Sequence, residues 1–241
     1  MKKILVNGEE LDDEHMHLAQ KLLQKQFPHL DGLKSTLLSE TDGFTPVQHE
    51  AIQIHHVRET GHWVTSSSIG QSVAVYDSKF SGGDLNSSLT HQLALIYKLL
   101  VSTGDEYGDT IDPPTLYLEL PNVQQQNGVT DCGLFAIAFA VHLALGDDVS
   151  KLNFDQAQMR HHLLKCFQKK EMMPFPQSKK GDHNNYFPGR EIELFCSCQM
   201  PETYDDMIQC DTCEDWYHLK CVGLKEFPLK LEQWNCKQCS E

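Results

Sequence analysis

Apolar positions along this chain switch period from helix to strand and back, and the switches outline its elements. Leu18, Leu22, Leu23 and Phe27 recur at helical spacing behind the acidic opening Leu11-Asp-Asp-Glu14, which predicts an amphipathic helix over 11–27. Short β-rich runs at 51–57, 62–65 and 72–76 are parted by glycine-containing turns and read as adjacent strands. Helical period returns over 87–101, and 115–120 is a further strand halted by Pro121. A polar loop, 124–131, leads into 132–145, the most apolar stretch; its fourteen residues suit a buried core helix and are too few to cross a bilayer. A last helix is expected over 153–170, before a proline-containing segment and a linker.

Cysteine usage divides this outline in two. Seven of the nine cysteines lie beyond residue 195 and, with His218, form Cys196-x-Cys198, Cys210-x2-Cys213, His218-x2-Cys221 and Cys236-x2-Cys239. Closely paired thiolates can grip one tetrahedral Zn²⁺, so eight ligands make two closed structural sites. A segment this short holds little core of its own, and its folding free energy would come largely from metal. The expected division is a domain at 1–176, a linker at 177–190 and a zinc domain at 191–241. Ligand spacings rather than scattered even cysteines indicate a reducing compartment. Met1-Lys-Lys-Ile-Leu-Val6 is too short an apolar run for a signal peptide or membrane span, so an intracellular protein with no membrane partner is expected.

Charge narrows the partners. Residues 1–176 hold 22 acidic against 13 basic side chains and residues 191–241 hold 11 against 4, within a net charge of −14. Acidity in both parts opposes direct binding to nucleic acid, which requires phosphate neutralisation by Lys and Arg, and favours a basic protein partner.

Of the two remaining cysteines, Cys166 sits inside a helical pattern and reads as core. Cys132 opens the apolar helix, where the helix dipole and unpaired N–H groups favour thiolate. A lone cysteine in that position is ordinarily a small core residue; its company sets Cys132 apart. The loop before it offers Gln N–H donors for an oxyanion hole. His62 and Asp77 fall on successive strands, where imidazole can face the thiol while carboxylate holds the other ring nitrogen.

These residues carry a resemblance. Gln-Gln-Asn-Gly-Val-Thr-Asp-Cys-Gly, His62-Trp63, Val75-Tyr-Asp-Ser78 and Leu11-Asp-Asp-Glu14 resemble, in order, the motifs of the ubiquitin-like-protein-specific proteases, the SUMO-cleaving cysteine proteases. The resemblance implies an α+β, papain-like fold with Cys132 as nucleophile, His62 as general base, Asp77 as its orienter and a Gln in the oxyanion hole. It also implies cleavage of SUMO- or NEDD8-class modifiers, or their conjugates, after a Gly-Gly tail. Trp63 would be one lid over that thin tail. The opposite lid, usually Trp, is Glu10 here, and Asn127 lies five residues before the nucleophile rather than the usual four. Gln126 keeps the usual distance to Cys132 and Gln125 the usual relation to Asn127, so both stay candidates. The competing class is a protease fold that has lost its chemistry and only binds.

The C-terminal ligand order resembles a PHD finger, with RING as the alternative and Trp234, two residues before Cys236, favouring PHD. That resemblance implies a cross-brace: Cys196, Cys198, His218 and Cys221 on one zinc, Cys210, Cys213, Cys236 and Cys239 on the other. Many such fingers bind histone tails, some through an aromatic cage for methyl-lysine. Trp216 and Met207 match cage positions, Tyr204 is a candidate second wall, and the surrounding Asp and Glu residues could receive a basic tail. Together the two resemblances imply a nuclear protein that brings proteolysis to chromatin.

Overall fold

The computed structural model describes residues 2–41, 43–70, 72–104, 110–178, 187–228 and 233–240, so residues 179–186 of the expected linker lie outside the described part. A short helix α1 (Lys2–Asn7) precedes α2 (Asp13–Gln26), which starts where the Asp12 carboxylate accepts the His15 N–H. The apolar stripe read in the sequence buries Met16, Ala19, Leu22 and Leu23. After β1 (Asp31–Gly32), the three expected strands form as β2 (Ala51–Val57), β3 (His62–Ser67) and β4 (Val73–Tyr76). Helix α3 (Ser87–Tyr97) begins at Asn86, whose side chain accepts the Ser88 N–H. Strands β5 (Ser102–Gly104) and β6 (Thr110–Glu119) follow. Strand β6 starts five residues before the expected 115 and carries Pro113 and Pro114; its register with β5 shifts between Ser102 and Gly104, where residues without an N–H are tolerated. Helices α4 (Cys132–Ala144) and α5 (Gln156–Lys169) complete the helical set.

Among the described residues one sheet of seven strands runs β1-β2-β3-β4-β6-β5, with β6 also pairing β7 (Arg190–Glu193). Period-two alternation sends neighbouring residues to opposite faces. Ile52, Ile54 and Trp63 pack with α2, α4 and α5, around Leu23, Phe135, Phe139 and Leu163. Val64, Val75, Leu116 and Leu118 pack with α3, around Leu93 and Tyr97. Helix α4 is buried along nearly its whole length, which explains why its sequence has no polar face. No helix among the described residues is long and apolar enough to cross a membrane.

The C-terminal part is built around β8 (Met207–Gln209) and β9 (Trp216–His218), and it is docked on the sheet. Residues 190–193, spanning the expected boundary at 190/191, pair with β6 from Thr115↔Glu193 to Leu118↔Arg190. Leu194 and Met200 enter the same core as Leu116 and Tyr97. From α3 and the turn after it, His91 Nε2 lies 3.0 Å from Thr203 Oγ1 and Lys98 Nζ donates to the Cys198 carbonyl at 3.2 Å.

Candidate active site and metal centres

His62 opens β3 and Asp77 directly follows β4. The antiparallel register Thr65↔Tyr76 makes them diagonal neighbours on one face, and His62 Nε2 lies 2.6 Å from Asp77 Oδ1. The Lys79 N–H also donates to that oxygen at 2.7 Å, fixing the carboxylate. The other ring nitrogen, Nδ1, is buried and has no hydrogen-bond partner. Cys132 is near enough for the two groups to shift each other's ionisation. Burial works against the imidazolium, but the Asp77 bond and the Cys132 thiolate outweigh it and push His62 up to about 9. Burial likewise works against the thiolate, but His62 and the backbone N–H groups of Trp63 and Gly133 outweigh it and hold Cys132 below its ordinary range. The arrangement favours a thiolate–imidazolium pair. Cys166 has the opposite setting: it is fully buried and burial pushes its thiol up.

Gly133, next to the thiol, is where α4 meets Trp63 and α2. A Cβ there would stand 2.5 Å from Met16 Cε, 3.0 Å from Leu11 Cβ and 3.2 Å from Trp63 Cδ1. Trp63 itself is buried, donates from Nε1 to the Leu11 carbonyl at 3.0 Å and stacks on His56 at 4.4 Å, while Glu10 is exposed. Both oxyanion candidates lie on the loop before Cys132. Gln125 is exposed and its Nε2 donates to the Asp77 and Val123 carbonyls, which accounts for both its protons. Gln126 is half-buried; its Oε1 accepts from Ser78 Oγ at 2.9 Å and its Nε2 donates to the Gly128 carbonyl at 3.0 Å, leaving one proton over.

Sequence reasoning did not find Gln156 and Arg160, which reach this loop from α5. Gln156 brackets the Asn127 backbone, accepting its N–H and donating to its carbonyl, each at 2.9 Å. Arg160 Nη2 lies 2.5 Å from Asp131 Oδ1. Their four-residue spacing on one helix face was the only available signal, and it is common on helices.

The eight metal-ligand candidates gather as the cross-brace requires. Cys196, Cys198, His218 and Cys221 form one group and Cys210, Cys213, Cys236 and Cys239 the other, each with its ligand atoms within 4.8 Å of one another. Cys213 and Cys236 sulfurs are 3.9 Å apart, close to the edge of about 3.8 Å that a tetrahedron of 2.3 Å Zn–S bonds gives. His218 Nε2 faces the Pro201 carbonyl at 3.0 Å, which leaves Nδ1, 3.3 Å from Cys198 Sγ, as the metal-facing nitrogen. Residues 196–239 match the family model of the PHD finger. Over 51 residues the segment is 43% identical to transcription initiation factor TFIID subunit 3 of Xenopus laevis, covering 21% of this chain and 6% of that protein. Over 56 residues it is 43% identical to the chromatin remodeling protein EBS of Arabidopsis thaliana, covering 22% of this chain and 24% of that protein. The match thus spans a quarter or less of either relative.

Among solved structures, the SUMO protease Ulp1 with its catalytic cysteine oxidized to a sulfonic acid aligns at TM-score 0.53 and 16% identity, over 69% of this chain and 81% of that one. The C-terminal Ulp1 protease domain in complex with Smt3, the yeast orthologue of SUMO, aligns at TM-score 0.53 and 16% identity, over 70% of this chain and 80% of that one. The chain joins a SUMO-protease fold to a PHD finger. That α+β fold and two zinc sites are as the sequence implied.

In the PHD finger, Trp216 is 44% exposed and pairs with Gln209 across the β8–β9 ladder, while Met207, half-buried, pairs with His218. Trp216 lines a cleft of about 890 Å³ whose other walls include Trp234, Glu214 and Asp215 of the finger and Pro113 and Pro114 of β6. Tyr204 is engaged elsewhere: its ring meets His218 and His91 edge-on at 5.5 and 5.7 Å, with Lys220 Nζ 3.9 Å over it. Trp234 packs edge-on against Tyr217 at 5.7 Å.

Proposed function

We propose that the chain is a cysteine peptidase of the ubiquitin-like-protein-specific type, cleaving a SUMO- or NEDD8-class modifier, or its conjugate, after Gly-Gly. The observation that carries this reading is the joint placement of His62, Asp77 and Cys132, with His62 held at 2.6 Å by Asp77 and the thiol acidified by His62. In this scheme the Cys132 thiolate adds to the carbonyl carbon of the terminal glycine. The negative charge that develops on the carbonyl oxygen is met by the spare N–H of Gln126 and the backbone N–H of Cys132. His62 then gives its proton to the leaving amine, a lysine ε-amine in a conjugate, as the C–N bond breaks and a thioester remains. A water molecule loses a proton to His62 as its oxygen adds to the thioester; the C–S bond breaks, the thiolate returns, and the released carboxylic acid loses its remaining proton to solvent. Asp77 keeps the ring oriented throughout.

Incubation with SUMO, NEDD8 and ubiquitin vinyl-sulfone probes tests the reading. A covalent adduct on Cys132, lost in Cys132→Ala, is expected. Well-folded protein that forms no adduct with any of the three overturns it and leaves the binding-only alternative, which the exposed Glu10 at the usual tryptophan position favours.

For the PHD finger the reading is a basic peptide tail, of the histone type, with its methylated lysine against Trp216. The exposed indole beside Glu214 and Asp215 supports it, since an aromatic face and nearby carboxylates both attract a cation. Tyr204, with its ring engaged by His91, His218 and Lys220, is a weaker second wall than Met207. A nuclear location belongs to the same proposal, supported by the chromatin-protein relatives of the finger, and so does the division into a domain at 1–176, a linker at 177–190 and a finger at 191–241.

A further inference from the structure

Asp131 occupies the N-cap of α4, directly before Cys132, yet its side chain makes no capping bond. Side-chain caps are made at α2, where the Asp12 carboxylate accepts the His15 N–H, and at α3, where Asn86 accepts the Ser88 N–H, both from extended backbone, but not at α5, where Asp155 likewise makes no capping bond. An Asp at an N-cap ordinarily accepts those amides from extended backbone; Asp131 instead has φ −105° and ψ 4°, and its carboxylate is held by other partners. Its Oδ1 receives Arg160 Nε at 3.0 Å and Nη2 at 2.5 Å, and its Oδ2 receives Gln156 Nε2 at 2.6 Å. Arg160 also donates from Nη2 to the Thr130 carbonyl at 3.2 Å and from Nη1 to the Glu9 carbonyl at 2.7 Å. One guanidinium, mostly buried, therefore ties the catalytic loop to the segment leading into Leu11, whose carbonyl receives Trp63.

The geometry points to Arg160 as the positioning residue that draws the Asp131 carboxylate off the N-terminus of α4 and reserves that terminus for the Cys132 thiolate and the substrate oxyanion. A carboxylate in the capping position would consume the amides that a thiolate at the helix start needs and would place like charge beside it; both effects disfavour thiolate. Pairing with Arg160 removes both. Among the described residues the other charged or titratable groups around this corner include His62 from β3, Asp77 after β4, His56 stacked on Trp63 from β2, Asp12 paired with His15 at the start of α2, and Glu9, whose carboxylate accepts from Asn7. None of these touches Asp131. The planar fork of Arg, bonding Asp131 through two nitrogens while reaching the Ile4, Glu9 and Thr130 carbonyls, cannot be reproduced by Lys.

The proposal rests on Cys132 as the nucleophile, and its test reads the thiol rather than proteolysis. Alkylation of the zinc-loaded full chain by iodoacetamide, followed at the Cys132 peptide by mass spectrometry across pH, gives the thiolate profile. Arg160→Gln is expected to move that profile alkaline by about one unit, roughly tenfold slower labelling at neutral pH. Asp131→Ala in the same background, which removes both the charge and the capping oxygen, should restore most of the loss, which a merely structural role for Arg160 does not predict. Arg160→Lys should fall between, and it carries the same comparison if Arg160→Gln does not fold. An unchanged profile in either foldable variant, or no restoration by Asp131→Ala, overturns the proposal. An ordinary thiol profile in the unmodified protein instead removes the reading of Cys132 as nucleophile, so the two failures are distinct.

Discussion

Asp77 grips His62 through Nε2, with 2.6 Å between that nitrogen and Oδ1, and so leaves Nδ1 as the ring nitrogen open to Cys132. The pair fixes the sense of the pH response. Because His62 is pushed up to about 9 and Cys132 is held below its ordinary range, both shifts favour the thiolate–imidazolium form. Turnover should fall on the acid side as the thiolate is protonated and on the alkaline side as pH passes about 9. The stability that His62 contributes has its own window, set by a folded value above the ordinary 6.5. It is fully present below 6.5 and is lost as pH rises through about 9. Thermal melts of wild type and His62→Ala should therefore differ more at pH 6 than at pH 10; an equal gap at both would count against the assignment.

Asp77→Asn tests orientation of the ring. The amide can still reach Nε2 but no longer stabilises the imidazolium, so the rate constant of modifier cleavage should drop by about 10²–10⁴ while the melting temperature changes little. A drop smaller than tenfold would show that His62 is held by its strand alone.

Gly133→Ala tests the junction beside the thiol. Met16 Cε can swing aside, but Leu11 Cβ at 3.0 Å and the indole of Trp63 at 3.2 Å cannot do so freely. Overpacking of this kind costs about 1–3 kcal/mol. Chemical denaturation should show that loss, with cleavage impaired because the start of α4 must move away from β3.

The docked PHD finger makes metal part of the stability of the whole chain. Extraction of zinc should lower the melting temperature of the protease fold and raise hydrogen exchange in β6, where Leu116 and Leu118 pair with Ile192 and Arg190. Met200→Ala, in the core shared with α3, should cost about 2–5 kcal/mol. Unaltered exchange in β6 after zinc removal would mean that the docking contributes nothing.

Trp216→Ala should abolish binding of a methylated histone-tail peptide, measured by calorimetry, and leave both zinc ions in place by atomic absorption. Equal binding by the variant would remove the cage.

Local pattern was enough for the elements that bury one face or coordinate metal. Helix α2 and strands β2 to β4 appeared where period and turn residues put them, and the cross-brace follows from ligands only a few residues apart. Cys132, His62 and Asp77 could be nominated, but their meeting depends on a β3–β4 register that spacing only permits. Strand β7 was hidden because Arg-Glu-Ile-Glu has a single apolar residue, and its pairing is long-range. Contacts such as Arg160 with Asp131 or His91 with Thr203 leave no periodic trace, since each joins one residue to one other far along the chain.

A reader domain on a slack tether would sweep a volume, and its catalytic partner would act anywhere within it. Here four residues of β7 and the face of α3 remove most of that volume, so Trp216 and Cys132 stand at one separation and one orientation. Under the proposed reading, a tail held at Trp216 would present to Cys132 only what lies at that fixed reach, and conjugates would be selected by distance as well as by chemistry.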